Sequence, residues 1–301
     1  MEQNKNNYRF AFFGTSKLSV MVLDKLAEHG FIPTLIISAE DKPQGRKLVL
    51  TPTETKTWAD GRGIPCLQLK TLRTDDVVEK IQSYSPKGYD LFVVASYGKI
   101  IPQAILDIPR RGTLNVHPSL LPRLRGASPI KSAIISEDET GVTIMLLDAE
   151  MDHGPIIAQE KTASWKGFME PYYAGDELPY AYDLQQSLGH RGGEMLAGVF
   201  ADWIEGKIEA HEQDHSKATL CGKIKKENGE INLADSAEIN LRKIRAYHEW
   251  PTAYYFHTHN GKTTRVIIKR ARVENGQLVL ERVLPEGKKE MSYADFERGL
   301  R

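Results

Sequence analysis

Cysteine is scarce in this sequence, in which Cys66 and Cys221 are the two thiols among 301 residues. They lie far apart and lack the spacing of zinc ligands, so neither a disulfide framework nor a zinc site is indicated. No apolar run approaches the roughly 18 residues of a membrane-spanning helix. The polar residues 1–7 also lack the apolar core of a signal peptide. We therefore expect a cytoplasmic protein with no metal ion and no membrane partner.

The glycine-rich loops that hold nucleotide phosphates are also missing. The turn after the first predicted strand is Gly14-Thr15-Ser16 instead of G-x-G-x-x-G, and no Walker A motif occurs. Such loops supply the backbone N–H groups that bind a pyrophosphate or triphosphate. Dinucleotide and nucleoside-triphosphate cofactors are therefore not indicated.

The chain has no overall excess of charge, because 40 Lys and Arg balance 40 Asp and Glu. The balance varies along the chain, however, since residues 215–301 carry 17 basic and 11 acidic side chains. A basic C-terminal part suggests a polyanionic partner at that end. Random variation of surface charge explains the same asymmetry equally well.

Apolar segments alternate with helical patterns along the first two thirds of the chain. This alternation predicts an α/β fold, with a Rossmann-like, mostly parallel sheet covered on both faces. The expected strands are residues 8–13, 31–38, 90–95, 114–116 and 142–147. The expected helices are residues 18–28, 52–61, 77–84 and 184–204, and a polar loop is expected over residues 41–46. Residues 1–206 are expected to form this domain.

The pattern changes after residue 206. Alternating segments at 264–269 and 277–282 each follow an Asn-Gly dipeptide, at Asn260-Gly261 and Asn275-Gly276. Asn-Gly is typical of two-residue hairpin turns. Residues 207–301 are therefore expected to form a second, small β-domain, which a helix over residues 236–247 precedes.

Asn115, His117 and Asp152 are the candidate catalytic residues. Asn115 and His117 are two residues apart on a predicted strand, so their side chains point to one face. An asparagine amide can stabilise an oxyanion by about 3–4 kcal/mol, and an imidazole can transfer protons. Asp152 follows the next predicted strand and can orient that imidazole. Each residue alone is more often a cap or a core group, but together they suit acyl transfer to an amine.

The surrounding motifs resemble the folate-dependent formyltransferase superfamily and, within it, the methionyl-tRNA formyltransferases, over nearly the whole chain. The superfamily resemblance rests on NVHPSLLP at residues 115–122 and on MDHG at 151–154. The narrower resemblance rests on PQGRK at 43–47, IRAYHEWP at 244–251 and GKK at 287–289.

The resemblance implies a formyltransferase fold with a C-terminal OB-like β-barrel, here shortened. It implies that 10-formyltetrahydrofolate formylates the α-amine of methionyl initiator tRNA through a tetrahedral intermediate, with Asn115, His117 and Asp152 as the catalytic residues. The residues implied to border the folate are Ser119, Leu120, Leu121, Pro122 and Tyr97. The residues implied to bind the tRNA are Lys42, Arg46 and Lys47. A monomer is expected.

Several positions depart from the family pattern. Pro118, Leu124 and His153 stand where Gly, Trp and Thr are usual, and residues 168–175 look like an insertion. Three alternatives stay open. The chain could be a sugar-nucleotide N-formyltransferase with the same folate donor, a hydrolase of that donor, or a nucleic-acid-binding relative without catalysis. The C-terminal motifs favour the tRNA substrate.

Overall fold

The structure is a computed structural model that describes residues 8–45, 48–74, 76–136, 139–161 and 179–300. The chain forms two compact units. The first contains Met1–Gly126, Thr140–Lys161 and Gln185–Leu220, and the second contains Ala127–Glu139, Thr162–Leu184 and Cys221–Arg301. The expected boundary between residues 206 and 207 stays a prediction.

The strands up to residue 161 are β1 (Phe10–Gly14), β2 (Leu35–Ser38), β3 (Lys42–Gln44), β4 (Val49–Thr51), β5 (Cys66–Gln68), β6 (Leu91–Ala95), β7 (Thr113–His117), β8 (Arg125–Gly126), β9 (Gly141–Leu146) and β10 (Ile156–Lys161). Those after it are β11 (Leu220–Cys221), β12 (Tyr254–His259), β13 (Lys262–Glu274), β14 (Gln277–Pro285) and β15 (Met291–Ser292).

The helices are α1 (Lys17–Glu28), α2 (Glu54–Asp60), α3 (Asp76–Ser83), α4 (Gln103–Leu106), α5 (Pro129–Ser136), α6 (Ala181–Ile204), α7 (Ala237–Ala246) and α8 (Tyr293–Arg298). No helix within the described ranges is both long and apolar enough to cross a lipid bilayer.

Seven strands of the described residues form the central sheet of the first unit, in the order β10-β9-β7-β6-β1-β2-β5. The five strands from β7 to β5 in this order run parallel to one another. At the other end of the sheet, β9 pairs antiparallel with β7, and the edge strand β10 pairs antiparallel with β9. Strands β1 and β6 are buried at every position, as expected for strands covered on both faces. The predicted α/β fold class is confirmed.

Two local features differ from the sequence expectation. Strand β10 was not expected, because its polar and charged end at residues 159–161 interrupts the apolar pattern. The expected polar loop over residues 41–46 instead contains β3, which pairs with β4 in a hairpin. The three residues of β4 are exposed or half-buried, so this short strand contributes no fully buried side chain to the core.

The second unit contains a four-stranded antiparallel sheet in the order β12-β13-β14-β15. The β12–β13 turn is Asn260-Gly261, and the β13–β14 turn is Asn275-Gly276. All four residues have φ between +50° and +76°, the left-handed conformation that Asn-Gly adopts in such turns. Ile244 of α7 joins residues of β13 and β14 in the core of this unit. The two predicted hairpins are confirmed.

Gly192 of α6 allows this helix to approach β7 closely. A Cβ atom on Gly192 would lie 2.5 Å from Cγ1 of Val116, which is buried between Asn115 and His117 on β7. Real Cβ atoms do not come this close to a neighbour, so only glycine fits without movement. The packing of α6 therefore helps to set the position of the strand that carries two candidate catalytic residues.

We predict that Gly192→Ala lowers the free energy of unfolding by about 1–3 kcal/mol, because an extra methyl group overpacks this contact. Gly198→Ala in the same helix is the matched control, since no atom of the described residues outside its own stretch of helix lies within 4 Å of the added Cβ. The control should be neutral or stabilise the protein by up to about 1 kcal/mol. Chemical denaturation measures both values, and equal stabilities of the two variants would contradict the prediction.

Candidate active site

Strand β7 ends at the site and carries Asn115 and His117. In the antiparallel register, Asn115 lies opposite Met145 of β9, and His117 lies opposite Thr143. Their exposed fractions are 8% and 4%, respectively. Side chains this deeply buried must satisfy their polar atoms within the protein.

The carboxylate of Asp152 lies against both of these side chains. Its Oδ1 accepts a hydrogen bond from Nδ2 of Asn115 at 3.4 Å and lies 3.6 Å from Nδ1 of His117. Its Oδ2 accepts the backbone N–H of Gly126 at 2.8 Å. The structure therefore brings together the three residues that the sequence singles out, around a side chain that is 12% exposed.

The loop after β9 returns Asp152 to β7. Asp152 has a φ of +51°, a left-handed conformation that an aspartate can adopt. At Gly154 a Cβ atom would lie 2.1 Å from the backbone oxygen of Leu146. Glycine at this position therefore lets the loop fold back onto the end of β9.

The imidazole of His117 has a defined orientation. Its Nε2 lies 3.0 Å from the backbone oxygen of Leu124, and a carbonyl oxygen can only accept a hydrogen bond. Nε2 therefore carries a proton, and Nδ1 is the ring nitrogen on the side of Asp152. Leu124 has a φ of +58°, so its peptide is turned by an unusual backbone conformation.

The segment from Ser119 to Pro122 follows β7 directly. Thr143 Oγ1 donates to the Ser119 oxygen at 2.7 Å and accepts the Leu121 N–H at 3.2 Å. Nε2 of Gln159 donates to the Leu121 oxygen and to Thr143 Oγ1, at 2.8 Å each. Ser119 and Leu121 are buried, whereas Leu120 and Pro122 are half-buried. Hydrogen bonds from β9 and β10 thus hold the backbone of the segment in place, and its two half-buried apolar side chains lie partly at the surface.

Tyr97 belongs to the core of the first unit and packs edge-to-face on Phe13, with the ring centroids 5.4 Å apart. Burial raises the pKa of its hydroxyl to about 12. That hydroxyl is buried and has no hydrogen-bond partner among the described residues. An unsatisfied buried donor costs free energy, and the structure alone assigns this hydroxyl no role.

Lys42 is exposed on β3. The other two predicted tRNA contacts, Arg46 and Lys47, and the segment 168–175 lie outside the described residues. His153 does not contact the Asp152 carboxylate. Its Nδ1 lies 2.7 Å from Oδ2 of Asp148, and its ring stacks on that of His215 with the centroids 4.1 Å apart.

Two family models match the chain. Residues 8–165 match the model for formyl transferase, and residues 223–277 match the model for the formyl transferase C-terminal domain. The chain belongs to the formyltransferase family.

Similar protein sequences indicate which formyltransferases this chain resembles. The methionyl-tRNA formyltransferase of Chloroflexus aggregans is 40% identical over 251 residues, which are 82% of this chain and 76% of that protein. That of Thermus thermophilus is 36% identical over 97% of this chain and 96% of that protein. The resemblance seen in the sequence is confirmed, and the chain is an enzyme of this family.

The fold is shared with more distant formyltransferases. The crystal structure of the N-formyltransferase from Helicobacter canadensis, in complex with folinic acid and dTDP-3-aminofucose, has a TM-score of 0.59 and 16% identity. The structural match covers 89% of this chain and 88% of the Helicobacter canadensis chain.

Two further residues of this formyltransferase, Gln213 and Arg125, support the loop that carries Asp152 and were not predicted. The side-chain amide of Gln213 donates to the backbone oxygens of Asp152 and Gly154. Arg125 donates to the side-chain oxygen of Gln213. Neither residue has a local sequence pattern that indicates these contacts, because Gln213 lies 61 positions after Asp152. Only the folded chain reveals them.

We predict that the neutral imidazole of His117 is the Nε2–H tautomer, because Nε2 donates to the Leu124 oxygen. Nitrogen-15 NMR of histidine-labelled protein, with the resonance assigned by its loss in His117→Ala, distinguishes the two tautomers. A neutral ring protonated at Nδ1 would contradict the geometry.

Proposed function

We propose that this chain transfers the formyl group of 10-formyltetrahydrofolate to the α-amino group of methionyl initiator tRNA. The observation that carries the proposal is the contact of Asp152 with both Asn115 and His117 at the end of β7. It occurs in a chain whose relatives over nearly the full length are methionyl-tRNA formyltransferases. The proposal includes a cytoplasmic, monomeric enzyme.

Asn115 is proposed to stabilise the oxyanion of the tetrahedral intermediate. When the amine attacks the formyl carbon, the formyl oxygen gains negative charge. The Asn115 amide has two hydrogens, of which one faces Asp152 Oδ1, and the second can donate to this oxygen. Burial of the amide strengthens that interaction, because water screens it less.

His117 and Asp152 are proposed to move the proton. The new C–N bond forms first and gives the tetrahedral intermediate. The bond from the formyl carbon to the donor nitrogen then breaks, and one proton passes from the attacking to the leaving nitrogen. Nδ1 of His117 and Oδ1 of Asp152 are 3.6 Å apart and are the two basic atoms at this position. Because Nε2 is bound to Leu124, Nδ1 is the ring atom that can exchange a proton with the substrate.

The segment from Ser119 to Pro122 and Tyr97 are proposed to hold the folate, which supplies the activated formyl group. The half-buried Leu120 and Pro122 offer apolar surface to a planar ring, and Tyr97 is included because of the family resemblance. The residues of this part of the site therefore fit such a ligand.

Lys42, Arg46 and Lys47 are proposed to contact the acceptor end of the tRNA. Lysine and arginine side chains are the groups that neutralise the phosphates of a nucleic acid. The basic surplus of residues 215–301 adds a favourable field for the same polyanion.

The deciding experiment offers the purified protein 10-formyltetrahydrofolate with either methionyl initiator tRNA or an amino-sugar nucleotide. We expect formylation of the methionyl-tRNA amine and none of the sugar amine, detected by mass spectrometry of the products. Formylation of the sugar amine alone, or release of formate without transfer, would overturn the proposed substrate.

We predict that His117→Ala and Asp152→Asn each lower kcat by at least about a hundredfold, which is typical of a positioned acid–base group. Asp148→Asn is the charge-matched control, because Asp148 contacts His153 and lies outside the proposed machinery. It should keep nearly normal turnover. Circular dichroism checks that all three variants are folded, and near-normal kcat in either of the first two would reject these roles.

A further inference from the structure

We propose that Gln213 and Thr219 are positioning residues for the reaction, Gln213 for Asp152 and Thr219 for the peptide that binds His117. The inference rests on the proposed function of the site. Both residues lie between the two segments that match the family models, which end at residue 165 and begin at residue 223. Both lie in the first unit, as do all the residues that they contact.

Gln213 holds the Asp152 loop by two hydrogen bonds. Its side chain is 5% exposed, and its Nε2 donates to the backbone oxygens of Asp152 at 3.0 Å and of Gly154 at 2.7 Å. Its Oε1 accepts from Nε of Arg125 at 3.2 Å and from Nη2 at 2.7 Å. Carbonyl oxygens only accept and a guanidinium only donates, so the amide can adopt no other orientation here.

These contacts close a ring around the carboxylate. Arg125 donates a hydrogen bond to Gln213, and Gln213 donates one to the backbone oxygen of Asp152. Gly126, the residue after Arg125, donates its N–H to Oδ2 of Asp152. The side chain of Asp152 is thus held directly by Gly126 of β8, and its backbone is held by Gln213, which the neighbouring Arg125 of β8 binds. Loss of the Gln213 bonds frees a loop whose left-handed residue has other conformations available.

Thr219 holds the other half of the site. Its Oγ1 accepts the N–H of Leu124 at 2.9 Å, and its backbone oxygen accepts the N–H of Arg125 at 2.9 Å. The oxygen of Leu124 in turn accepts the proton of His117 Nε2. The backbone oxygen of Thr219 thus holds the peptide whose oxygen accepts from His117, and the hydroxyl holds the preceding peptide. The hydroxyl acts on the acceptor through the left-handed conformation of Leu124, and with it on the direction of Nδ1.

A positioning role and a merely structural role differ in kinetics. A displaced acid–base pair slows the chemical step, whereas substrate binding through other residues stays as it was. The effect should therefore fall on kcat, while the KM values for folate and for charged tRNA are unchanged. A change of about one ångström in such a geometry can cost about a hundredfold in rate.

The test uses two substitutions that keep the shape of the side chain. Gln213→Glu can still accept from Arg125, but an ionised carboxylate has no hydrogen to donate to the two backbone oxygens. Thr219→Val removes the hydroxyl, and Thr219→Ser restores it. We expect kcat to fall by about ten- to a hundredfold in Gln213→Glu and Thr219→Val, with recovery in Thr219→Ser. Thermal unfolding shows that each variant is folded at the assay temperature.

Gln159→Glu is the matched control. Gln159 also donates to a backbone oxygen, that of Leu121 in the proposed folate segment. This variant should therefore raise the KM for folate more than it lowers kcat. The proposal is overturned if Gln213→Glu shows the same pattern as Gln159→Glu, or if Gln213→Glu and Thr219→Val keep the wild-type kcat.

A second readout does not depend on turnover. The nitrogen-15 signal of His117 Nε2 should shift in Thr219→Val and return towards the wild-type position in Thr219→Ser, and an unchanged signal in Thr219→Val would contradict the role of Thr219. If the wild-type protein formylates a different amine, the proposed substrate fails, and the same comparison of kcat is made with that amine. Failure of the function and failure of the positioning are thereby distinguished.

Discussion

The buried carboxylate of Asp152 is the constraint on which the first unit depends. An unpaired buried carboxylate costs several kcal/mol, so it must find hydrogen-bond donors within the protein. Its partners come from the end of β7, which carries Asn115 and His117, and from the N–H of Gly126 on β8. The end of β7, the loop after β9 and the chain beyond β7 must therefore all be in place before the charge is satisfied. The contacts that satisfy this carboxylate are thus the same contacts that bring the candidate site together.

The backbone around this carboxylate is held away from its ordinary conformations. Asp152 and Leu124 both have φ near +50° to +60°, which costs a residue with a side chain about 1–2 kcal/mol. Such conformations persist where the surroundings over-determine them. Here Gln213 bonds the carbonyl of Asp152, and Thr219 bonds the N–H of Leu124. The strain lies at the two residues that face His117 from opposite sides.

Much of the fold follows from short-range patterns, and the parts that do not have a physical reason. The spacing of Asn115 and His117 predicts one face of a strand, and Asn-Gly dipeptides predict both hairpin turns, because each rule involves neighbouring residues. The β3–β4 hairpin and the edge strand β10 are not predicted, since β4 has no buried residue and β10 has a polar end that is largely unburied. Gln213 is not predicted because it acts through contacts with residues distant in sequence, such as Asp152, 61 positions earlier. Long-range polar contacts leave no periodic signal in a sequence.

The residues proposed for formyl transfer differ from those proposed to select the amine substrate. Asn115, His117 and Asp152, together with Gln213 and Thr219, lie in the first unit, and their contacts with one another involve no residue of the second. The overall fold of this chain is likewise shared with an N-formyltransferase whose structure contains a sugar nucleotide. It follows that selectivity for a charged tRNA has to come from groups that recognise the rest of the acceptor molecule. Cations such as Lys42, which can meet a phosphate backbone, are proposed for that task, whereas the roles proposed for the carboxylate of Asp152 and the imidazole of His117 do not depend on which amine is bound.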